Sequence, residues 1–101
     1  MSRDGSIHTR IPDVEEKLKL EKVLLEQIES HIGYQPRIIE VSEIFTEVVT
    51  GTNYYVKACV KIGSHNYIHA RIFEHMQCYG GEITVESVLE NMSSMDLLSY
   101  F

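Results

Sequence analysis

The chain has 101 residues, 44% of them apolar, and a net charge of −6. That is enough for one domain with a single core, and the chain need not be disordered. The acidic balance, without any cluster of Lys and Arg, excludes nucleic acid as the main partner. No apolar run approaches the roughly 20 residues of a membrane span, and Met1-Ser2-Arg3-Asp4-Gly5 leads into no signal-peptide core. The chain therefore reads as cytoplasmic, with no membrane partner.

Residues 1–11 are polar and irregular, with Gly5 and an isolated Ile7, and are expected to be a flexible N-terminal trunk. A helix begins after Pro12. Asp13 and Glu16 have the spacing of a capping box, in which each side chain reaches the other residue's backbone N–H. Val14, Leu18, Leu25, Ile28 and Ile32 fall on one stripe at helical spacing, with Leu24 at its flank. Leu20 and Val23 lie off this stripe, which leaves the phase of the buried face open. Glu21 lies inside it and is expected at the rim with its carboxylate in water. The helix is predicted to end near His31, capped by Gly33.

After Tyr34-Gln35-Pro36 the period changes from helical to alternating. Ile39 and Val41 alternate with Glu40 and Ser42, and the break near Ile44-Phe45 suggests a bulge. The next strand sets Tyr54, Val56, Ala58, Val60 and Ile62 on one face and Tyr55, Lys57, Cys59 and Lys61 on the other. Gly63-Ser64 turns the chain. A third strand carries Ile68, Ala70 and Ile72 inward. Residues 76–81 read as a loop, Glu82 to about Leu89 as a last strand, and Asn91 to Ser94 as a turn. The apolar tail Asp96-Leu97-Leu98-Ser99-Tyr100-Phe101 is expected to pack on the sheet. One long N-terminal helix packed across a four-stranded antiparallel sheet, an α+β fold in a single domain over 1–101, buries both apolar faces.

This order of elements has a functional consequence. The helix crosses the molecule and the first strand returns, so the trunk and the turn after Val49 share one end. Symmetric pairing about residue 64 sets residue 78 opposite residue 50, which brings the 76–81 loop to the same end. Three segments converge on a ridge rather than a pocket. The same register sets Cys59 about 30 Å from the edge that holds Cys78, so both cysteines are expected to be free thiols.

Catalytic chemistry is not legible. Of the five histidines, His8, His31, His65, His69 and His75, the pair His69 and His75 share a strand face but lie about 20 Å apart, too far for one metal. No metal or cofactor is implied. Cys78 and His75 are near in sequence, without an orienting group or an oxyanion hole. The chain is read as no enzyme.

The segment Glu47-Val48-Val49-Thr50-Gly51-Thr52-Asn53-Tyr54-Tyr55 is, by its residues, two strand ends meeting at a glycine turn, and an ordinary hairpin accounts for it. It also resembles the stefin segment usually written QVVAGTNYY. Tyr67-Ile68-His69-Ala70-Arg71-Ile72-Phe73 resembles the following stefin strand, and Asp96 to Phe101 the stefin tail. The chain is thereby similar to the cystatin superfamily in its stefin (type 1) form. That resemblance implies a reversible, tight-binding inhibitor of papain-like cysteine proteases of the cathepsin type, monomeric, with domain swapping open to it. It implies contact through Gly5 and Ile7 of the trunk, Glu47, Val48, Val49, Thr50 and Gly51 of the first hairpin, and Met76, Gln77, Cys78 and Tyr79 of the second loop. Three segments depart from the family pattern. Glu47 replaces Gln, Gly5-Ser6-Ile7 replaces a Gly-Gly pair at a spacing to Pro12 about two residues shorter than the family's, and Met76-Gln77-Cys78-Tyr79 replaces Leu-Pro-Gly and loses proline's rigidity. A non-inhibitory protein-binding module on the same fold is the alternative these departures motivate.

Overall fold

The computed structural model describes residues 7–61 and 66–101. The Gly63-Ser64 turn, Ile62, His65 and Gly5 lie outside the described residues. Helices α1 (Val14–Gln27) and α2 (Glu29–Ile32) precede strands β1 (Glu40–Val49), β2 (Gly51–Cys59), β3 (Tyr67–His75) and β4 (Ile83–Met92). The strands form one antiparallel sheet in the order β1-β2-β3-β4. The helix lies across one face of this sheet, which is the cystatin-like α+β arrangement.

The capping box forms as its spacing requires. The Glu16 N–H donates to Asp13 Oδ1 at 2.8 Å and the Asp13 N–H to Glu16 Oε1 at 3.1 Å. The helix continues through Ile28 into α2 and ends at Gly33, which takes the left-handed conformation. Its buried face differs from the expected one. Leu20, Val23, Leu24 and Ile28 are buried, whereas Val14, Leu18 and Leu25 are exposed. Two polar side chains fix this phase. Gln27 grips one outer strand, accepting from the Val85 N–H at 2.8 Å and donating to the Ile83 carbonyl at 3.1 Å. Glu21, expected in water, instead reaches the other outer strand and accepts from the Val41 N–H at 2.9 Å, with Lys17 at 2.6 Å. The two helix side chains thus occupy backbone groups on both edges of the sheet, where unpaired strand edges are a liability. The Val14–Leu18–Leu25 side is left beside β1.

The bulge falls at Ser42, between Val41 and Glu43, rather than near Ile44-Phe45. The extra residue lets Val41 and Ile44 both face the helix while Phe45 turns to the opposite face. Tyr54, Val56, Ala58, Val60, Ile68, Ala70 and Ile72 all enter the main core, as their alternation predicts. Strand β4 runs on to Met92, which pairs with Tyr67, so Asn91 and Met92 belong to the strand and not to a turn, with Asn91 at a register shift in a left-handed conformation.

The opposite face of the sheet is covered as well. The tail packs there, with Leu98 buried against Phe45 and Tyr55. The Phe45 and Tyr55 rings stack at 4.5 Å, and Tyr100 meets both edge-on at 5.2 and 5.3 Å. Such aromatic pairs add roughly 0.5–1.5 kcal/mol each beyond their burial. Among the described residues no helix is long and apolar enough to cross a membrane.

Candidate functional site

The first hairpin is as tight as its sequence allows. Val49 pairs with Gly51 across the single residue Thr50. Gly51 has φ +139, and a Cβ there would lie 2.5 Å from the Glu74 carbonyl and 2.6 Å from the Phe73 ring. Both the conformation and the space demand glycine. The preceding valines have no room inside so narrow a turn. Val48 is 77% exposed and Val49 48%, so the tip presents aliphatic surface on a backbone held by strand pairing. Glu47 lies on the strand face opposite Val48 and the same as Val49. It is only 7% exposed and accepts from Asn53 Nδ2 at 3.3 Å, its cross-strand partner.

The second loop comes beside the first through the β2–β3 register. Gly51 pairs with His75, so Met76 starts the loop opposite the Thr50 turn, two places earlier than symmetric pairing about residue 64 would give. Gln77–Tyr79 form a single 3-10 turn. The Met76 carbonyl accepts from the N–H groups of Tyr79 at 2.9 Å and Gly81 at 3.0 Å, and the Gln77 carbonyl from Gly80 at 3.0 Å. Proline's rigidity is therefore replaced by hydrogen bonds closing on one carbonyl. Met76 and Tyr79 are exposed on this loop, as is Cys78.

Between the loops lies an open hollow of about 370 Å³ edged by Val48, Val49, Thr52, Glu74, Met76 and Gln77. Its base is tied to the helix by a network that sequence reading missed. Lys19 Nζ lies 2.9 Å from Glu74 Oε1 and 3.0 Å from the Tyr54 hydroxyl, which donates to the same Glu74 oxygen at 3.0 Å. Burial pushes the Tyr54 phenol up. Burial works against the Lys19 ammonium, yet its bonds to Tyr54 and Glu74 hold it above its ordinary value. The only signal for this network in the sequence is a Lys beside the helix stripe, which has no unique reading.

The trunk side is partly described. Arg10 pairs with Ile44 through both backbone bonds, at 2.8 and 2.9 Å, and extends the sheet beyond β1. Its guanidinium grips Glu16 with two bonds of 2.7 Å. These hydrogen bonds hold the Glu16 carboxyl down at about 2. Because the pairing is antiparallel, the chain traced back from Arg10 runs in the direction of Val48 and Val49. Ile7 packs against the Phe45, Tyr55 and Leu98 cluster. Of the expected contact residues, Val48, Val49, Thr50, Gly51 and the Met76–Tyr79 loop are brought together, and Ile7 lies on the face behind them. Cys59 and Cys78 are free. Among the described residues no three His, Cys, Asp or Glu side chains gather as a metal site.

An exposed apolar edge on two rigid loops has the chemistry of a contact surface, not of a reaction centre. No family model matches the chain. It is 26% identical over 73 residues to cystatin-B of Oplegnathus fasciatus, covering 72% of this chain and 71% of that protein. It is 32% identical over 56 residues to human cystatin-B, about half the length of each, at 55%. Against cystatin-B of Mus musculus it is 25% identical over 97 residues, 96% of this chain and 97% of the relative.

Proposed function

We propose that this chain, a stefin-like protein of the type 1 cystatin kind, is a reversible, tight-binding inhibitor of papain-like cysteine proteases. The ridge enters the protease's active-site cleft and blocks it without forming a bond to the catalytic thiol. Val48 and Val49 supply the apolar area, with Met76 and Tyr79 beside them. Gly5 and the rest of the trunk extend the contact along the cleft. The observation that carries this reading is the pair of exposed valines on a turn whose glycine admits no side chain. A preformed apolar tip loses little entropy on docking, which is the chief cost of binding. We read the protein as a cytoplasmic monomer of one domain.

The test is a titration of papain and of cathepsin-type proteases with the purified chain. The expected result is stoichiometric inhibition that reverses on dilution, together with binding to a protease whose thiol has been blocked by a small alkylating group. Absence of inhibition at micromolar concentration favours instead a non-inhibitory binding module on the same fold.

A further inference from the structure

The cover on the sheet face opposite the helix lies over two nitrogen bases. His69 is 2% exposed and its Nε2 makes no hydrogen bond. Lys57, its cross-strand partner, is 7% exposed. The Lys57 ammonium donates to the Ser94 carbonyl of the cover at 3.1 Å and lies 3.5 Å from Glu43. The surrounding charged groups are few. Strand β1 contributes Glu43, the cover Asp96, and β3 itself Tyr67 and Arg71 two places on either side, while β4 sets Leu89 opposite His69. Arg71 also holds the cover, through a 2.5 Å bond to the Phe101 carbonyl.

We propose that His69 and Lys57 form an acid-sensitive latch beneath residues 93–101: the neutral imidazole admits the cover, and protonation releases it. A proton on His69 sets a second cation against its cross-strand neighbour Lys57, where both residues are buried and like charges are costly. Water must then enter. The ladder from β1 to β4 stays intact if the segment after Met92 lifts, because that segment is held by side chains and a few bonds. Burial, then Lys57, hold the imidazole below its ordinary 6.5, against the opposing pull of Asp96 and Glu43. A histidine depressed on folding stabilises the closed form fully above 6.5. That stability is lost as the pH falls below this value, and the loss levels off beneath the folded pKa. Inside this window the uptake of one proton makes opening easier as the pH falls, with about tenfold per pH unit as the upper bound for a single site. Ile7 leans on the same aromatic cluster, so release also loosens the trunk. Only an effect of that loosening on a bound protease rests on the proposed inhibitory reading.

Amide exchange and histidine NMR on the whole chain without protease, from about pH 7.5 to about pH 5, decide the matter. After correction for the intrinsic rate, amides in residues 93–101 are expected to open more as the pH falls below 6.5, by up to about tenfold per pH unit before levelling off, while amides pairing β2 with β3 hold steady. His69→Gln is expected to flatten that slope. Exchange of the cover that ignores pH overturns the latch, and so does an unchanged slope in His69→Gln. Should that variant not fold, the titration of His69 in the unaltered protein decides: a value at or above 6.5 with the cover closed contradicts the proposal. A ridge that failed to inhibit any protease would leave this result standing.

Discussion

The two loops of the ridge reach the same rigidity by opposite means. The first is held by exclusion: no side chain fits at Gly51, where the Glu74 carbonyl and the Phe73 ring fill the space a Cβ needs. The second is held by attraction, with two N–H groups converging on the Met76 carbonyl. Steric rigidity is intolerant of change, and hydrogen-bonded rigidity gives way by degrees. That difference explains how the second loop can depart from the stefin pattern while the first keeps Val-Val and Gly.

The comparison can be broken most sharply at Gly51. Gly51→Ala must displace backbone or the Phe73 ring, and a loss of stability of about 3 kcal/mol is expected in chemical denaturation. Inhibition should fall with it. A variant as stable as the unaltered chain would show the first turn to be as forgiving as the second. Next is Val48→Asp. An exposed charge costs the fold little, so the melting temperature should hold, while a contact at the centre of an apolar interface is worth about 2 kcal/mol, roughly thirtyfold in the inhibition constant. Gly81→Ala is expected to be milder. Its Cβ meets only the Gln77 amide, at 2.7 Å, although φ +65 still disfavours a side chain. A loss of about 1 kcal/mol in stability is expected, with little change in inhibition. The smallest effect is assigned to Glu47→Gln. The sequence pattern suggested that a carboxylate there weakens binding. Because the Glu47 carboxylate is buried and already accepts from Asn53, the change should improve inhibition by no more than about twofold, as for a net half kcal/mol.

An acid titration probes the trunk separately. Glu16 is held at about 2 by Arg10, against an ordinary 4.5. Its contribution is complete above 4.5, and is lost as the pH falls toward about 2. Arg10→Gln should remove that part of the acid dependence, as followed by circular dichroism.

Much of this architecture is legible in the residues. Asp13 with Glu16 and the closing Gly33 announce the helix ends, because caps depend on local groups alone. The alternation of Tyr54, Val56, Ala58 and Val60 gives the inward face of β2, because a pleat has only two sides. The helix phase is not legible in the same way. Val14, Leu18, Leu20, Val23, Leu24 and Leu25 cover so much of the circumference that two stripes compete, and the choice is made by Gln27 and Glu21 finding backbone on strands far away in the chain. The Ser42 bulge is hidden for a related reason, since Ile44 and Phe45 are both buried, on opposite faces. At the ridge, turn chemistry and strand direction suffice to bring the two loops together. The bonds that stiffen the second loop, and the Lys19–Tyr54–Glu74 tie beneath it, join residues whose proximity only the folded chain reveals.

The most direct measurement is the inhibition constant of papain for the unaltered chain and for Val48→Asp, with melting temperatures taken alongside. Tight inhibition by the former, and a loss of roughly thirtyfold or more at unchanged melting temperature in the latter, is the expected result. Equal constants for the two, or no inhibition by either, would contradict the ridge as the inhibitory surface.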